Sequence, residues 1–198
     1  MKTRRQILRA AGASATAGGV ALAGCTSGEN DDAARTTTVD SLGMTLSSEA
    51  FADGEPIPTR YTCEGANESP PLSVDGVPDG TVSLALVADD PDAPRAEPYV
   101  HWLVWNVPPG VGTVPAAIPR SERVERLDGA VQGTNSSGDL GYAGPCPPTG
   151  DGPHTYRFTL TALERELALD PGAKRPALAD ATTDVRLAQT RLTGTYER

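Results

Sequence analysis

Residues 144–156 read Gly-Pro-Cys-Pro-Pro-Thr-Gly-Asp-Gly-Pro-His-Thr-Tyr, a loop rich in proline and glycine that runs into a strand. Proline fixes the backbone angle φ, and glycine lets the backbone approach a ligand closely. Loops of this composition can present several backbone N–H groups to one anion. We therefore predict a binding loop that places His154 at the start of a strand.

A second segment has the same design. Residues 89–94 read Asp-Asp-Pro-Asp-Ala-Pro, and residues 99–102 continue with Tyr-Val-His-Trp. His101 and His154 are the only histidines of the chain. A nearby carboxylate favours the charged form of histidine, and a protonated imidazole can donate two hydrogen bonds to an anion. The two segments predict a small anion pocket, in which Asp90 orients a histidine or holds a hydroxyl or ammonium group of the ligand.

Short strands surround these segments. Residues 81–88 and 155–163 alternate apolar and polar side chains, which is typical of half-buried antiparallel strands. Residues 102–107 form a nearly continuous apolar run, and residues 44–47 are a further candidate strand. The pattern indicates a mainly β protein, an antiparallel sandwich.

One helix is predicted near the C-terminus. Pro176 suits a first helical turn, and Gly194 suits the position after the last turn. Between them, apolar residues recur at steps of three and four: Leu178, Ala181, Val185, Ala188 and Leu192. The sandwich should therefore carry a C-terminal helix.

The N-terminus has the pattern of an export signal. Residues 1–24 combine a basic start, which includes Arg4 and Arg5, with a short run of small apolar residues. This pattern predicts a twin-arginine signal peptide whose run ends at a lipidated Cys25. An ordinary signal peptide with an incidental cysteine is the alternative. Residues 25–40 are acidic, lack an apolar period, and are predicted to form a disordered tether to a domain at 41–198.

Charge excludes several partners. The chain has 17 basic and 26 acidic residues, and removal of residues 1–24, with four basic residues and no acidic one, makes the net charge −13. Such a surface repels nucleic acid and anionic membranes. We expect membrane contact only through a lipid on Cys25, on the extracytoplasmic face. Lysine is almost absent, which favours a halophilic source, because molar salt screens this repulsion.

Two cysteines remain if Cys25 is lipidated. Cys63 and Cys146 would then meet in an oxidising compartment and could form a disulfide. The alternative is a pair of reduced, buried thiols, and the sequence leaves both open.

The two segments together resemble the signature regions of the phosphatidylethanolamine-binding protein (PEBP) family, in its bacterial and archaeal Raf-kinase-inhibitor-like branch. The resemblance extends to residues 60–72, RYTCEGANESPPL, and to residues 192–198, LTGTYER. It covers about residues 41–198.

This resemblance implies a large central sheet packed on a smaller sheet, with a pocket for phosphate-like or carboxylate groups. Carried over by position, Asp92 and Pro94 shape the loop, and the ligand-binding residues are Asp90, Tyr99, His101, Gly144, Pro147, Pro148, His154 and Tyr156. Other interpretations remain open for some of them. His101 and Tyr156 are also compatible with a core role, and Asp90 and Asp92 with simple turn caps.

We expect a binding protein for a small anionic or phosphorylated ligand. No segment has the pattern of a nucleophile elbow, a nucleotide loop or a zinc site, so neither an enzyme nor a cofactor nor a metal is expected. The first alternative, implied by the family, is an inhibitor or regulator of an extracytoplasmic protein such as a protease. The second is an acid–base enzyme that uses Asp90 and a histidine. The oligomeric state is not predicted.

Overall fold

The computed structural model describes residues 41–198, so the predicted signal peptide, tether and lipidation site at Cys25 lie outside the described residues. This range contains nine strands, one α-helix and two short 3-10 helices, Thr59–Tyr61 and Glu125–Leu127. Their bounds are β1 Thr45–Ser47, β2 Leu72–Asp75, β3 Ser83–Asp90, β4 Tyr99–Val107, β5 Thr113–Val114, β6 Arg123–Val124, β7 Ala130–Gln132, β8 His154–Leu163, α1 Arg175–Thr182 and β9 Arg186–Tyr196. From residue 41 onwards, no helix is both long and apolar enough to cross a bilayer.

The strands form two antiparallel sheets. The small sheet has the order β1-β2-β5, and the large sheet has the order β6-β7-β4-β3-β8-β9. Buried side chains of both sheets form one core between them. The predicted mainly β sandwich, with a large sheet packed on a smaller one, is confirmed.

Strand β8 shows how the sequence makes this core. Tyr156, Phe158 and Leu160 alternate along the strand, are buried, and pack toward the small sheet with residues such as Leu46 and Val74. The residues between them lie on the outer face of the large sheet, because successive side chains of a strand point to opposite faces.

Strand β4 is buried on both faces, which explains its continuous apolar run. Trp102 and Val104 belong to the core between the sheets. Leu103 and Trp105 belong to a second core on the outer face, where Leu178 of α1 covers them. Helix α1 therefore covers part of the outer face of the large sheet.

The predicted C-terminal helix is right only as far as Thr182, and its second half is wrong. Residues 186–196 form β9, which pairs with β8 along its length. Ala188 and Leu192 are four residues apart, a spacing that fits the period of a strand as well as one turn of a helix. Gly194 is no helix stop, because it lies in β9, where a Cβ atom would come within 2.6 Å of Ile57.

Candidate binding pocket

The sheet topology brings the two sequence motifs together. Asp90 is the last residue of β3, His101 is the third residue of β4, and His154 is the first residue of β8. Strand β3 lies between β4 and β8 and is antiparallel to both. Its end therefore meets the beginnings of the other two, and the three side chains lie at one end of the large sheet.

His154 is held between two carboxylates. Its Nδ1 is 2.8 Å from Oδ2 of Asp90, and its Nε2 is 3.3 Å from Oδ2 of Asp151. Burial on its own lowers the pKa of His154, but the hydrogen bonds and charges of Asp90 and Asp151 outweigh it and raise that pKa above its ordinary value. Both ring nitrogens can donate in the imidazolium form that this setting favours.

Both carboxylate oxygens of Asp90 already have hydrogen-bond partners within the protein. Its Oδ1 accepts hydrogen bonds from the backbone N–H groups of Asp92 at 2.8 Å and Ala93 at 3.1 Å. Its Oδ2 is engaged by His154, and its side chain is only 5% exposed. Asp90 thus caps the turn and orients the histidine, so the two sequence interpretations of this residue are compatible.

The environment of His101 shifts its pKa in the opposite direction to that of His154. The Nδ1 of His101 is 2.7 Å from the carbonyl oxygen of Ala143, and because a carbonyl only accepts, Nδ1 carries the proton. Burial lowers the pKa of His101, which favours the neutral ring. Within residues 41–198, the Nδ1–Ala143 contact is the one hydrogen bond of this ring, and the backbone of Gly144 also acts on the ring and partly offsets the effect of burial on its pKa. Nε2 can therefore accept a hydrogen bond from a ligand.

Aromatic rings fix the plane of His101. The centroid of its ring lies 4.8 Å from that of Tyr99 and 5.2 Å from that of Tyr156, which meets it edge-on. Tyr99 also shares a hydrogen bond of 2.5 Å with the hydroxyl of Ser137. The imidazole is therefore pre-oriented, which lowers the entropic cost of ligand binding.

The pocket encloses a cavity of about 430 Å³. Both cysteines line it, and the structure joins Cys63 and Cys146 in a disulfide with a Cα–Cα distance of 5.4 Å. The N–H of Gly144 donates to Oδ1 of Asn67 at 2.7 Å. A Cβ atom at Gly144 would come within 2.4 Å of the carbonyl oxygen of Tyr61, so this wall requires glycine.

Most of the residues carried over from the family resemblance share this cavity, but two do not line it. Tyr156 lies behind His101, with its ring buried and its hydroxyl unpartnered among residues 41–198. Asp92 accepts a hydrogen bond from the N–H of Thr155 at 2.7 Å and so ties the two motif loops together. The others line the cavity: Asp90, Pro94, Tyr99, His101, Gly144, Pro147, Pro148 and His154.

Sequence reasoning missed Arg120, a basic residue that lines the cavity. No local motif marks it. The side-chain amide of Gln132 holds its loop by donating to the carbonyl oxygens of Pro119 and Ser121 at 2.7 and 2.8 Å. Trp102 in turn donates to Gln132 at 2.7 Å, so a contact between distant segments positions Arg120.

Two acidic residues near the cavity were also missed. Asp139 lines the cavity, and Asp151 contacts His154 from the loop that precedes it. Asp151 lies within the quoted loop, three residues before His154, and that spacing could have identified it. In the part of the chain that the structure describes, no group of three or more metal-ligating side chains comes together.

Comparison with known proteins gives a consistent result. A family profile described as "Phosphatidylethanolamine-binding protein" matches residues 47–197. A "UPF0098 protein" of Methanothermobacter thermautotrophicus is 47% identical over 155 residues, which cover 78% of this chain and 99% of that protein. The "Putative lipoprotein LppC" of Mycobacterium tuberculosis is 42% identical over 192 residues, with 90% of each chain covered.

Solved structures agree. The crystal structure of E. coli YbcL, described as a new member of the mammalian PEBP family, matches with a TM-score of 0.74 and 35% identity. The match covers 78% of this chain and 98% of YbcL. The crystallised chain of YbcL therefore consists of little more than the matched domain.

Proposed function

The chain belongs to the phosphatidylethanolamine-binding protein family, and we propose that it is an exported, lipid-anchored binding protein whose pocket takes up a small phosphate- or carboxylate-type group without turnover. The ligand is a small molecule, or a protein that carries such a group.

The observation that supports the pocket most strongly is the state of His101. Burial lowers the pKa of His101 and so favours its neutral ring, and the ring's hydrogen bond within the described residues is made by Nδ1, not by Nε2. A monoprotonated phosphate or a carboxylic acid supplies the donor that this nitrogen needs. A fully ionised group binds only if His101 takes up a proton. Arg120 supplies positive charge at the same cavity.

The partners of the candidate catalytic groups support the proposal that the protein turns nothing over. Within residues 41–198, neither histidine forms a hydrogen bond to a hydroxyl or thiol, so neither is paired with a side-chain nucleophile. Cys63 and Cys146 are joined to each other. Asp90 is occupied by two backbone N–H groups and His154, which leaves it poorly suited to exchange protons with a substrate.

Export and lipidation rest on three observations. The N-terminal sequence has the pattern of a signal that ends at Cys25. The match to the "Putative lipoprotein LppC" covers 90% of this chain, whereas residues 41–198 make up about four-fifths of it, so the match includes part of the first 40 residues. A disulfide is typical of proteins outside the reducing cytosol.

Calorimetry with residues 26–198 tests the pocket. Phosphate, phosphorylethanolamine and acetate are titrated into wild type, His101→Gln and Arg120→Gln, with Arg165→Gln as a control, because Arg165 is exposed and does not line the cavity. We expect saturable binding that His101→Gln abolishes, that Arg120→Gln weakens, and that the control retains. Equal affinities in all four proteins would refute the proposed pocket.

Membrane fractionation tests the anchor. We expect the full chain to sediment with membranes and the Cys25→Ser variant to be released. Equal sedimentation of both would contradict lipidation at Cys25 while leaving the pocket untouched.

A further inference from the structure

A second cavity lies on the outer face of the large sheet, and it shares no lining residue with the histidine pocket. It has a volume of about 330 Å³ and runs between α1 and strands β3, β8 and β9. We call it the arginine groove. The antiparallel register builds its floor, because it sets Arg157 opposite Asp89 and Thr159 opposite Arg191.

The charge of the groove is opposite to that of the chain. Four arginines line it, Arg157, Arg175, Arg186 and Arg191, and the one carboxylate among the lining residues is that of Asp89. The whole chain carries a net charge of −9. A cluster of guanidinium groups is therefore concentrated in one concave site of an acidic protein.

Asp89 neutralises only part of this charge. Its side chain is 4% exposed and accepts two hydrogen bonds from Arg157, at 2.7 and 3.0 Å. Arg175 approaches the same carboxylate at 3.1 Å. From residue 41 to the C-terminus, neither Arg186 nor Arg191 forms an ion pair.

Arg191 is held in the groove although the positive charge of Arg157 lies close to it. Its Nε donates to the hydroxyl of Thr159 at 3.2 Å. Burial and the positive charge of Arg157 lower the pKa of Arg191. An anion placed between these guanidinium groups would offset their mutual repulsion.

The rest of the lining suits an organic anion rather than a bare ion. Leu178 and Ala179 of α1 face the groove together with Ala85 and Val87 of β3, so part of the wall is apolar. Hydroxyl groups lie among the arginines, from Thr159, Thr161, Thr182 and Thr183. A cavity of this size accommodates a small charged group with a short organic body.

We propose that the arginine groove is a second binding site, for a small organic anion that carries a phosphate group. Phosphate fits better than a single carboxylate, because its doubly charged form offers three oxygen atoms to several guanidinium groups, each of which donates in a planar fork. A soluble phosphomonoester and the phosphomonoester headgroup of phosphatidic acid share this chemistry.

The soluble probe is glycerol 3-phosphate, and glycerol is its uncharged control. All proteins in this test comprise residues 26–198 and carry His101→Gln, which removes binding in the histidine pocket. The test variant adds Arg186→Gln and Arg191→Gln, and the matched control adds Arg123→Gln and Arg126→Gln. All four arginines are exposed, and the control pair lies outside the groove. We expect saturable binding that weakens about tenfold or more in the test variant and less than about twofold in the control.

A second arm identifies the source of the phosphate. Vesicles of phosphatidylcholine that contain phosphatidic acid are compared with vesicles of phosphatidylcholine alone for the same variants. Binding to phosphatidic acid that needs Arg186 and Arg191, without binding of glycerol 3-phosphate, assigns the groove to a lipid headgroup. If neither probe binds, or if the test and control pairs lose binding equally, the proposal is overturned. Arg186→Gln alone repeats the test if the combined variant does not fold.

Discussion

The histidine pocket and the arginine groove lie on the same large sheet, yet their charges are arranged in opposite ways. In the pocket, Asp90 and Asp151 compensate the charge of His154, and burial lowers the pKa of His101, which favours its neutral form. In the groove, four guanidinium groups face one carboxylate. We therefore expect binding of an anion in the pocket to be coupled to a proton that the ligand brings or that His101 takes up, whereas a ligand of the groove would meet permanent positive charge.

This difference predicts how each site responds to solution conditions. Histidine titrates near neutral pH, whereas arginine stays charged throughout. Attraction between exposed charges weakens as salt screens it. Binding in the pocket should depend mainly on pH, and binding in the groove mainly on ionic strength.

Removal of the disulfide is the largest perturbation that should affect only one of the two sites. Cys63 and Cys146 are 83 residues apart and line the pocket. We expect Cys63→Ala with Cys146→Ala to lower the free energy of unfolding by about 4 kcal/mol, because the open chain gains entropy when unfolded. Urea unfolding measures this change. Pocket affinity should fall while groove affinity persists, and an unchanged free energy of unfolding would contradict the account.

Replacement of Asp89 perturbs the other site. Asp89→Asn leaves Arg157 and Arg175 without their buried carboxylate. We expect the free energy of unfolding to fall by about 2–3 kcal/mol, less than for a fully buried pair, because both guanidinium groups are partly exposed to solvent. The exposed Asp79 serves as the matched control, and Asp79→Asn should cost less than about 0.5 kcal/mol. If both variants were equally stable, the groove would not depend on this ion-pair cluster.

The pH dependence of ligand binding separates the sites next. If phosphate binding protonates His101, affinity in the pocket should rise as pH falls, by up to about tenfold per pH unit where one proton is taken up. Affinity of the groove for glycerol 3-phosphate should change far less, apart from the titration of the phosphate itself. Calorimetry at several pH values measures both. A pocket affinity that falls with acidification would contradict the role of His101.

The smallest expected effect is on the pH dependence of the free energy of unfolding, to which the two histidines contribute with opposite sign. The folded-state pKa of His154 is raised, so its contribution is full below the unfolded pKa of about 6.5 and is lost as pH rises through the folded value. The folded-state pKa of His101 is lowered, so its contribution is present above about 6.5 and is lost as pH falls.

Urea unfolding of His154→Gln and His101→Gln across this pH range checks the opposition. The cost of His154→Gln should shrink with rising pH, and the cost of His101→Gln should shrink with falling pH. Parallel pH profiles for the two variants would show that their environments do not differ as described.

The pocket could largely be predicted from the sequence, and the groove could not, for a physical reason. Asp90, His101 and His154 sit in loops whose prolines and glycines mark them locally. The groove depends on the register between β8 and β9, which sets Arg191 beside Thr159. That pairing is a tertiary contact, and the spacing of Ala188 and Leu192 fitted a helix equally well.

Arg120 shows the same limit inside the pocket. Its loop is fixed by Gln132, which Trp102 holds in turn, and no short motif encodes this chain of hydrogen bonds. Tyr156 shows the converse. The motif marks it, but its position on the inner face of β8 places it behind His101 and away from the cavity wall.

The central claim is that His101 takes a phosphate- or carboxylate-type ligand together with a proton. The direct measurement is an NMR pH titration of both histidine rings in residues 26–198, with and without saturating phosphate. The account predicts that phosphate raises the pKa of His101 saturably, while the pKa of His154, already held up by Asp90 and Asp151, changes little. If the signals of both histidines titrate identically with and without phosphate, the pocket does not bind this class of ligand and the account is wrong.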